Sequence, residues 1–311
     1  MAEKSMKQML GRCLVVVGIA FSGAVMSFSS AHSETINISS FEELDKYFAN
    51  RKYEVDKWID GSQKIPPIVI LDIPDSWRKK VAPSLTVENK KKTFFRFAIP
   101  LAFVGNSLVS RDREKLAGLK STHEKGSLDT HDQDWLHKKA TDYQLSSVEI
   151  GNKLFAELGD RMDIVPASLV VAQMADESGW GTSRFAAEGN ALFGQWSYTG
   201  GIKPKEQRKG KGNYSIKAFK TPLASIQAYM LNLNSNAAYG EFRKHRASLR
   251  SKGLVLTGPG LVGTLINYSE RREAYVKELQ NLMERNKLPA LDKAELHGGE
   301  TVYIRLAEGS R

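Results

Sequence analysis

The sequence predicts a mainly α-helical protein with one small β-hairpin or flap and a helical N-terminal region. Three observations carry that expectation. Apolar residues recur at helical spacing through most of the 311 residues. The punctuation agrees, because Ser or Pro opens these stretches and Gly179 closes the most apolar of them. Residues 197–217, by contrast, are rich in Gly, Lys and Tyr without helical period, which fits a hairpin or flap.

Composition sets the outer limits. Hydrophobic residues make up 41% and charged residues 26%, a globular balance, and the length allows one large domain or two ordinary ones. Cys13 is the single cysteine, which excludes a disulfide framework, a cysteine zinc site and a thiol redox pair. A formal net charge of +10 points to an anionic partner: nucleic acid, a membrane surface or an acidic wall polymer. Plain solubility is the bland account of the same charge.

The elements follow in order. Lys4, Lys7 and Arg12 precede an apolar run from Leu14 to Phe28, closed by Ser29, Ser30, Ala31 and Ser33. That is the pattern of a secretory signal peptide over 1–33, cleaved after Ser33. The run is about 15 residues, short of the ~20 that span a bilayer. Cys13 precedes it, so a lipobox reading fails. An uncleaved anchor is the competing reading, and in both the body is exported to the periplasm or cell envelope and meets a membrane only through this segment. Its loss removes three basic residues and one acidic residue, lowering the net charge from +10 to +8. An exported basic protein is not primarily a genomic DNA binder, so nucleic acid is not an expected partner.

Residues 34–140 read as a helical N-terminal region. Phe41 to Trp58 is amphipathic, with Ser39 or Ser40 as N-cap. IPPIVILDIP is held extended by its prolines, and DIPDSW turns into the next helix. Residues 87–119 read as one long buried helix or a helix pair, kinked or broken at Pro100. From Gly118 to Ala140 the composition turns polar, which suggests a boundary. His123, His131 and His137 fall there at spacings of eight and six, which is not a metal-ligand set. A second block, 141–290, opens with the capping-box pattern Ser146-Ser147-Val148-Glu149. It continues with a helix from about Pro166 to Gly179, then the hairpin, then further helical stretches to Asn286. Residues 291–311 read as a charged tail.

The most informative stretch is VPASLVVAQMADESGWG, residues 165–181. On a helix Val170, Met174 and Glu177 share one face, and Asp176 points about 100° away. Glu177 lies in the last turn, where the negative end of the helix dipole repels a carboxylate by about 0.3–1 kcal/mol. Partial burial penalises its ionised form as well. Both effects raise its pKa, as a general acid near neutral pH requires, and Trp180 is placed to exclude water. The bland reading is a surface glutamate at a frayed helix end. HExxH, GxSxG and GxxxxGK[ST] patterns are absent, and no cofactor or metal is implied.

The run IVPASLVVAQMADESGWGTSRFAAEGNALFGQW resembles the core of bacterial β-N-acetylglucosaminidase domains, whose hallmark is the ESGWG turn followed by N-x-LFG. The resemblance extends to the Bax-like branch. Ile73-Pro74-Asp75-Ser76-Trp77-Arg78, Lys91-Lys92-Thr93-Phe94-Phe95-Arg96, Tyr229 to Asn234 and Ala238 to Arg243 match that branch's other segments, so the similarity covers roughly 40–290. It implies a lysozyme-like helical catalytic domain with a cleft. It also implies hydrolysis of the β-1,4 bond after N-acetylglucosamine in the glycan strands of peptidoglycan, with Glu177 protonating the leaving oxygen.

Many relatives carry a second acidic residue on the hairpin. Here Glu206 is the only acidic residue between Glu188 and Glu241, beside Lys203, Lys205, Arg208 and Lys209, and is either the base or a solvated loop residue. Assistance by the substrate's N-acetyl group, positioned by Tyr239, is the alternative. Phe193, Trp196, Tyr198 and Tyr229 offer flat surfaces to sugar rings, Trp196 and Tyr198 being the better placed. Asn190 either caps its turn or bonds an acetamido group. Arg208, Lys209 and Lys211 attract peptide-stem carboxylates or are simply solvated. Two other functions stay open: a lytic transglycosylase on the same polymer, and a non-catalytic wall-binding or scaffold protein.

Overall fold

Where these stretches can bury their apolar faces decides the architecture. The structure is a computed structural model describing residues 34–208, 210 and 212–306. The signal segment 1–33, Lys209 and Lys211 lie outside the described residues.

Strand β1 (Thr35–Ile38) comes first. Ser40 then caps α1 (Phe41–Asn50), its hydroxyl accepting the Glu43 N–H at 3.1 Å. Lys52, at φ 55°, turns the chain and divides the expected amphipathic stretch into α1 and α2 (Val55–Ile59). The proline-flanked segment supplies β2 (Ile68–Ile70), and Trp77–Val81 is a single π-helical turn.

Thr86 caps α3 (Val87–Glu124), which runs for 38 residues and contains Pro100 in its interior. Of the two expected alternatives, the structure has the single long helix, and Pro100 does not break it. Pro100 forfeits one backbone hydrogen bond, worth about 1 kcal/mol net. Around it Phe94, Phe97, Ile99 and Leu101 are buried, each worth about 1.5–3 kcal/mol. By length and apolar character α3 is able to cross a membrane, but the larger part of that stretch is buried inside the protein, as in a core helix.

Its second half packs with α4 (Thr130–Asp142) and α5 (Asn152–Arg161) around Leu116, Leu136, Leu154 and Leu158. The polar stretch at 118–140 is thus the end of α3 and most of α4, not a linker. The capping box at 146–149 is unused, because Val148 N–H closes a turn on Leu145 O and Gly151 precedes α5. Next come α6 (Ala167–Ser178), α7 (Arg184–Gly189) and the antiparallel pair β3 (Trp196–Ser197) and β4 (Ser215–Ile216), the expected hairpin. Helices α8 (Pro222–Ser235), α9 (Gly240–Ser251) and α10 (Glu273–Arg285) complete the mainly α, lysozyme-like fold. Gly105 of α3 lets α8 come close, since a Cβ there would lie 2.9 Å from Ile226 Cγ2.

The C-terminal segment requires a second correction. Leu288–Lys293 is a 3₁₀ turn, and Val302–Leu306 is β5, the central strand of a parallel sheet ordered β1-β5-β2. Ile304 lies opposite both Ile36 and Ile70. Up to Leu306 the expected charged tail is a structural strand whose alternation Val-Tyr-Ile-Arg-Leu was masked by polar neighbours. One main core takes side chains from Ile38 to Val104 and from Val165 to Leu306. Ile304→Ala is accordingly expected to cost about 2–5 kcal/mol in urea unfolding. A cost within about 0.5 kcal/mol, as for a surface site, would contradict this placement.

Candidate active site

The helix that carries Glu177 is anchored at both ends. At its start the Asp292 carboxylate, from the far end of the chain, accepts the Ser168 N–H (3.0 Å), the Ser168 hydroxyl (2.6 Å) and the Gly258 N–H (2.8 Å). Those N–H groups have no partner within their own helices, so a buried acceptor there stabilises α6. At its end Gly179 turns left-handed at φ 57°, and the Trp180 N–H returns to Ala175 O at 2.8 Å. Trp180 follows at φ 62°, a strained conformation for a bulky residue. Its surroundings hold it there. Trp77 Nε1 donates to Trp180 O at 3.1 Å, Phe94 and Phe95 pack edge-on at 5.5 and 5.6 Å, and the Lys91 ammonium lies 5.1 Å from the ring centroid.

Glu177 is half-buried in the last turn of α6. Tyr275, from α10, donates its hydroxyl to Glu177 Oε1 at 2.8 Å. Gln173, one turn earlier on the same face, donates from Nε2 to Tyr275 Oη at 2.9 Å and accepts the Tyr229 hydroxyl at Oε1. Asp176 turns aside to Arg271, 3.0 Å away, which also pairs with Glu278. Burial pushes the Glu177 carboxyl up to about 8; the negative charge of Asp176 adds to the rise, while the Tyr275 hydrogen bond and Arg271 temper it. Burial and Glu278 likewise raise Asp176, against the pull of Arg271. Chemically, the site holds a carboxylic acid that keeps its proton at neutral pH beside a second carboxyl group neutralised by a guanidinium.

The other expected residues fall in different places. Phe193 and Tyr229 stack at 4.0 Å between centroids and are fully buried. Tyr229 meets Tyr268 edge-on, and Tyr268 stacks on Tyr275. Phe193 and Tyr229 are therefore the wall behind Glu177, which corrects their expected role as sugar platforms. Asn190 takes the first of its two expected roles in the structure, the cap of its turn. It sits left-handed at φ 52° at the end of α7, its Oδ1 accepts the Ile73 N–H (3.1 Å), and its Nδ2 reaches Phe219 O and Lys220 O. That amide pins three backbone segments together.

Trp196 stacks on Tyr214 at 4.2 Å inside the hairpin and is 7% exposed, so its faces are largely covered. Tyr198, 43% exposed, presents an open ring. Tyr239 is buried beside Tyr268, their centroids 5.9 Å apart. Glu206 is exposed on the β3–β4 loop, and the Arg208 guanidinium lies 5.8 Å from the Trp196 ring. A groove of about 1070 Å³, lined by Pro259, Gly263, Ile266, Val276 and Gln280, opens on the face of α10 away from Tyr275. It is not the place of this chemistry. Among the described residues Asp129, His131 and Asp132 bring ligand atoms within 4.8 Å of one another, but Asp129 already caps α4 through the Asp132 N–H.

Gln173, Tyr275 and the Asp176–Arg271 pair escaped the sequence reading. For Gln173 a signal was present: a single amide on an apolar helix face, four residues before Glu177. For Tyr275 and Arg271 there was none, because their contact spans nearly a hundred residues.

Comparison with known proteins follows the same stretch. A family model described as mannosyl-glycoprotein endo-β-N-acetylglucosaminidase matches residues 152–288. The chain is 32% identical to protein bax of Escherichia coli strain K12 over 199 residues, 64% of this chain and 70% of that protein. No solved structure gives a significant match.

Proposed function

The chain belongs to the Bax-like glucosaminidase family of glycoside hydrolases, and from that premise we propose that it is an exported peptidoglycan hydrolase with Glu177 as its general acid. The bond cut is the β-1,4 linkage after N-acetylglucosamine. One observation carries the reading: Glu177 closes α6 with its carboxyl group desolvated, hydrogen-bonded by Tyr275 and raised to about 8. At neutral pH it therefore arrives protonated. As the bond from C1 to the bridging oxygen lengthens, the Glu177 proton passes to that oxygen and the sugar acquires oxocarbenium character. The carboxylate left behind is met by the Tyr275 hydroxyl and lies in the field of Arg271.

The charges that bear on Glu177 are Asp176, Arg271 and Glu278, whereas Glu206 is solvated on its loop. This favours attack assisted by the substrate's own N-acetyl group; Tyr239, buried beside Tyr268, is not placed to touch that group. Glu206→Gln is then expected to change turnover by less than about threefold, whereas a true general base contributes about 10²–10⁴-fold. A loss of that larger size would make Glu206 the base.

The rate should follow the protonated form of Glu177. Activity on purified peptidoglycan is expected to hold at neutral pH and to fall as pH rises through about 8. An activity that instead increases through that range would exclude Glu177 as the acid.

A further inference from the structure

We propose that Gln173 is a positioning residue that, through Tyr275, decides which oxygen of Glu177 carries the transferable proton; this rests on the reading of Glu177 as general acid. The three hydrogen bonds behind Glu177 run in one direction. Tyr229 donates to Gln173 Oε1, Gln173 Nε2 donates to Tyr275 Oη, and Tyr275 donates to Glu177 Oε1. The Gln173 amide is engaged at both ends and fully buried; with Oε1 facing Tyr229 and Nε2 facing Tyr275, its oxygen can only accept and its NH₂ can only donate, which sets Tyr229 as donor and Tyr275 as acceptor. With a lone pair of Tyr275 Oη taken by Gln173, the phenolic hydrogen is left to point at Glu177.

Oε1 is thus an acceptor even when Glu177 is neutral, and the acidic hydrogen belongs on Oε2. Among the described residues no hydrogen bond reaches Oε2. The relay has little freedom to rearrange. Phe193 stacks on Tyr229 with planes 8° apart, and Tyr268 stacks on Tyr275 with planes 4° apart. All three donors are buried where water cannot take their place. After transfer, Tyr275 already faces the new carboxylate and needs no reorientation, which is how preorganised donors assist a reaction.

The test is the titration of the Glu177 carboxyl carbon by NMR, in protein labelled with ¹³C at glutamate Cδ and assigned by the signal missing in Glu177→Gln. In the wild type its midpoint is expected near 8. Tyr275→Phe removes the bond that favours the ionised form, so the midpoint should rise by about one pH unit. Gln173→Met should shift it the same way by a smaller amount, with turnover lowered about tenfold or more and KM little changed. A cavity that merely admitted water would move the midpoint down, towards the ordinary carboxyl range. Should Gln173→Met not fold, Tyr229→Phe, which deletes only the first donor, is expected to raise the midpoint as well.

Unchanged or lowered midpoints in these variants would overturn the relay while leaving Glu177 as acid. Full activity of Glu177→Gln would overturn the acid reading itself.

Discussion

Glu177→Gln is expected to lower turnover on peptidoglycan by about 10²–10⁴-fold, the usual contribution of a positioned general acid. The same change should leave the protein as stable as the wild type at low pH and more stable at pH 8. The reason is linkage. A buried carboxyl group that titrates near 4.5 in the unfolded chain and near 8 in the folded one makes unfolding easier as pH rises between those values, because only the unfolded chain can release the proton. Glutamine does not titrate and escapes that penalty. Urea unfolding at pH 4 and pH 8 would show the gap between variant and wild type opening with pH. A gap that stays constant would mean that the carboxyl group is not desolvated as described.

Arg246→Met is expected to cause a large loss of stability, about 2–5 kcal/mol, because buried acceptors that lose their donor cost about 1–3 kcal/mol each. Arg246 is 1% exposed on α9. Its Nη1 donates to Asp163 O, Ile164 O and Asn234 Oδ1, and its Nη2 donates to Asp160 O and Arg161 O. Most of these carbonyls lie at or just past the end of α5, which has no partners of its own for them. Methionine fills the stem's volume but takes the donor from Asp160 O and Ile164 O, while Asp163 O keeps Asn234 Nδ2 and Arg161 O keeps the Asp163 N–H. Arg246→Lys should rescue little, since one ammonium cannot reproduce a planar fork of donors. Asp163 keeps Arg250 at 2.9 Å, so its charge remains paired in either variant. A cost below about 1 kcal/mol for Arg246→Met would show that water replaces the guanidinium and that this joint is not a dry part of the core.

The contrast between Glu177 and Arg246 illustrates what a sequence exposes. Glu177 stands out as a candidate because its helix is unusually apolar, ends at a glycine and leads into a motif, all within 17 residues. The hairpin was legible from composition and α6 from Pro166 and Gly179. Arg246 reads on paper as one more base in an amphipathic helix. Its role comes from α5, some eighty residues earlier, and nothing local announces it.

Strands β1 and β5 were invisible for the same reason. Each is four or five residues long, and the sheet exists only because the two ends of the chain meet. The aromatic residues teach a related lesson. Phe193, Trp196, Tyr198 and Tyr229 have similar chemistry on paper, yet one ring is open, another is mostly covered, and two stack out of reach behind Glu177. Whether an aromatic lies in a cleft or behind it depends on which neighbour covers its face, and that neighbour is a tertiary fact.

The central claim is that this protein hydrolyses peptidoglycan on the reducing side of N-acetylglucosamine, using Glu177. It is tested most directly by mass spectrometry of the sugars released from purified peptidoglycan after borohydride reduction, with Glu177→Gln as control. The account predicts reduced N-acetylglucosamine ends from the wild type and none from the variant. Anhydro-muramic ends would show a lytic transglycosylase instead, and equal release by both proteins, or by neither, would contradict the account.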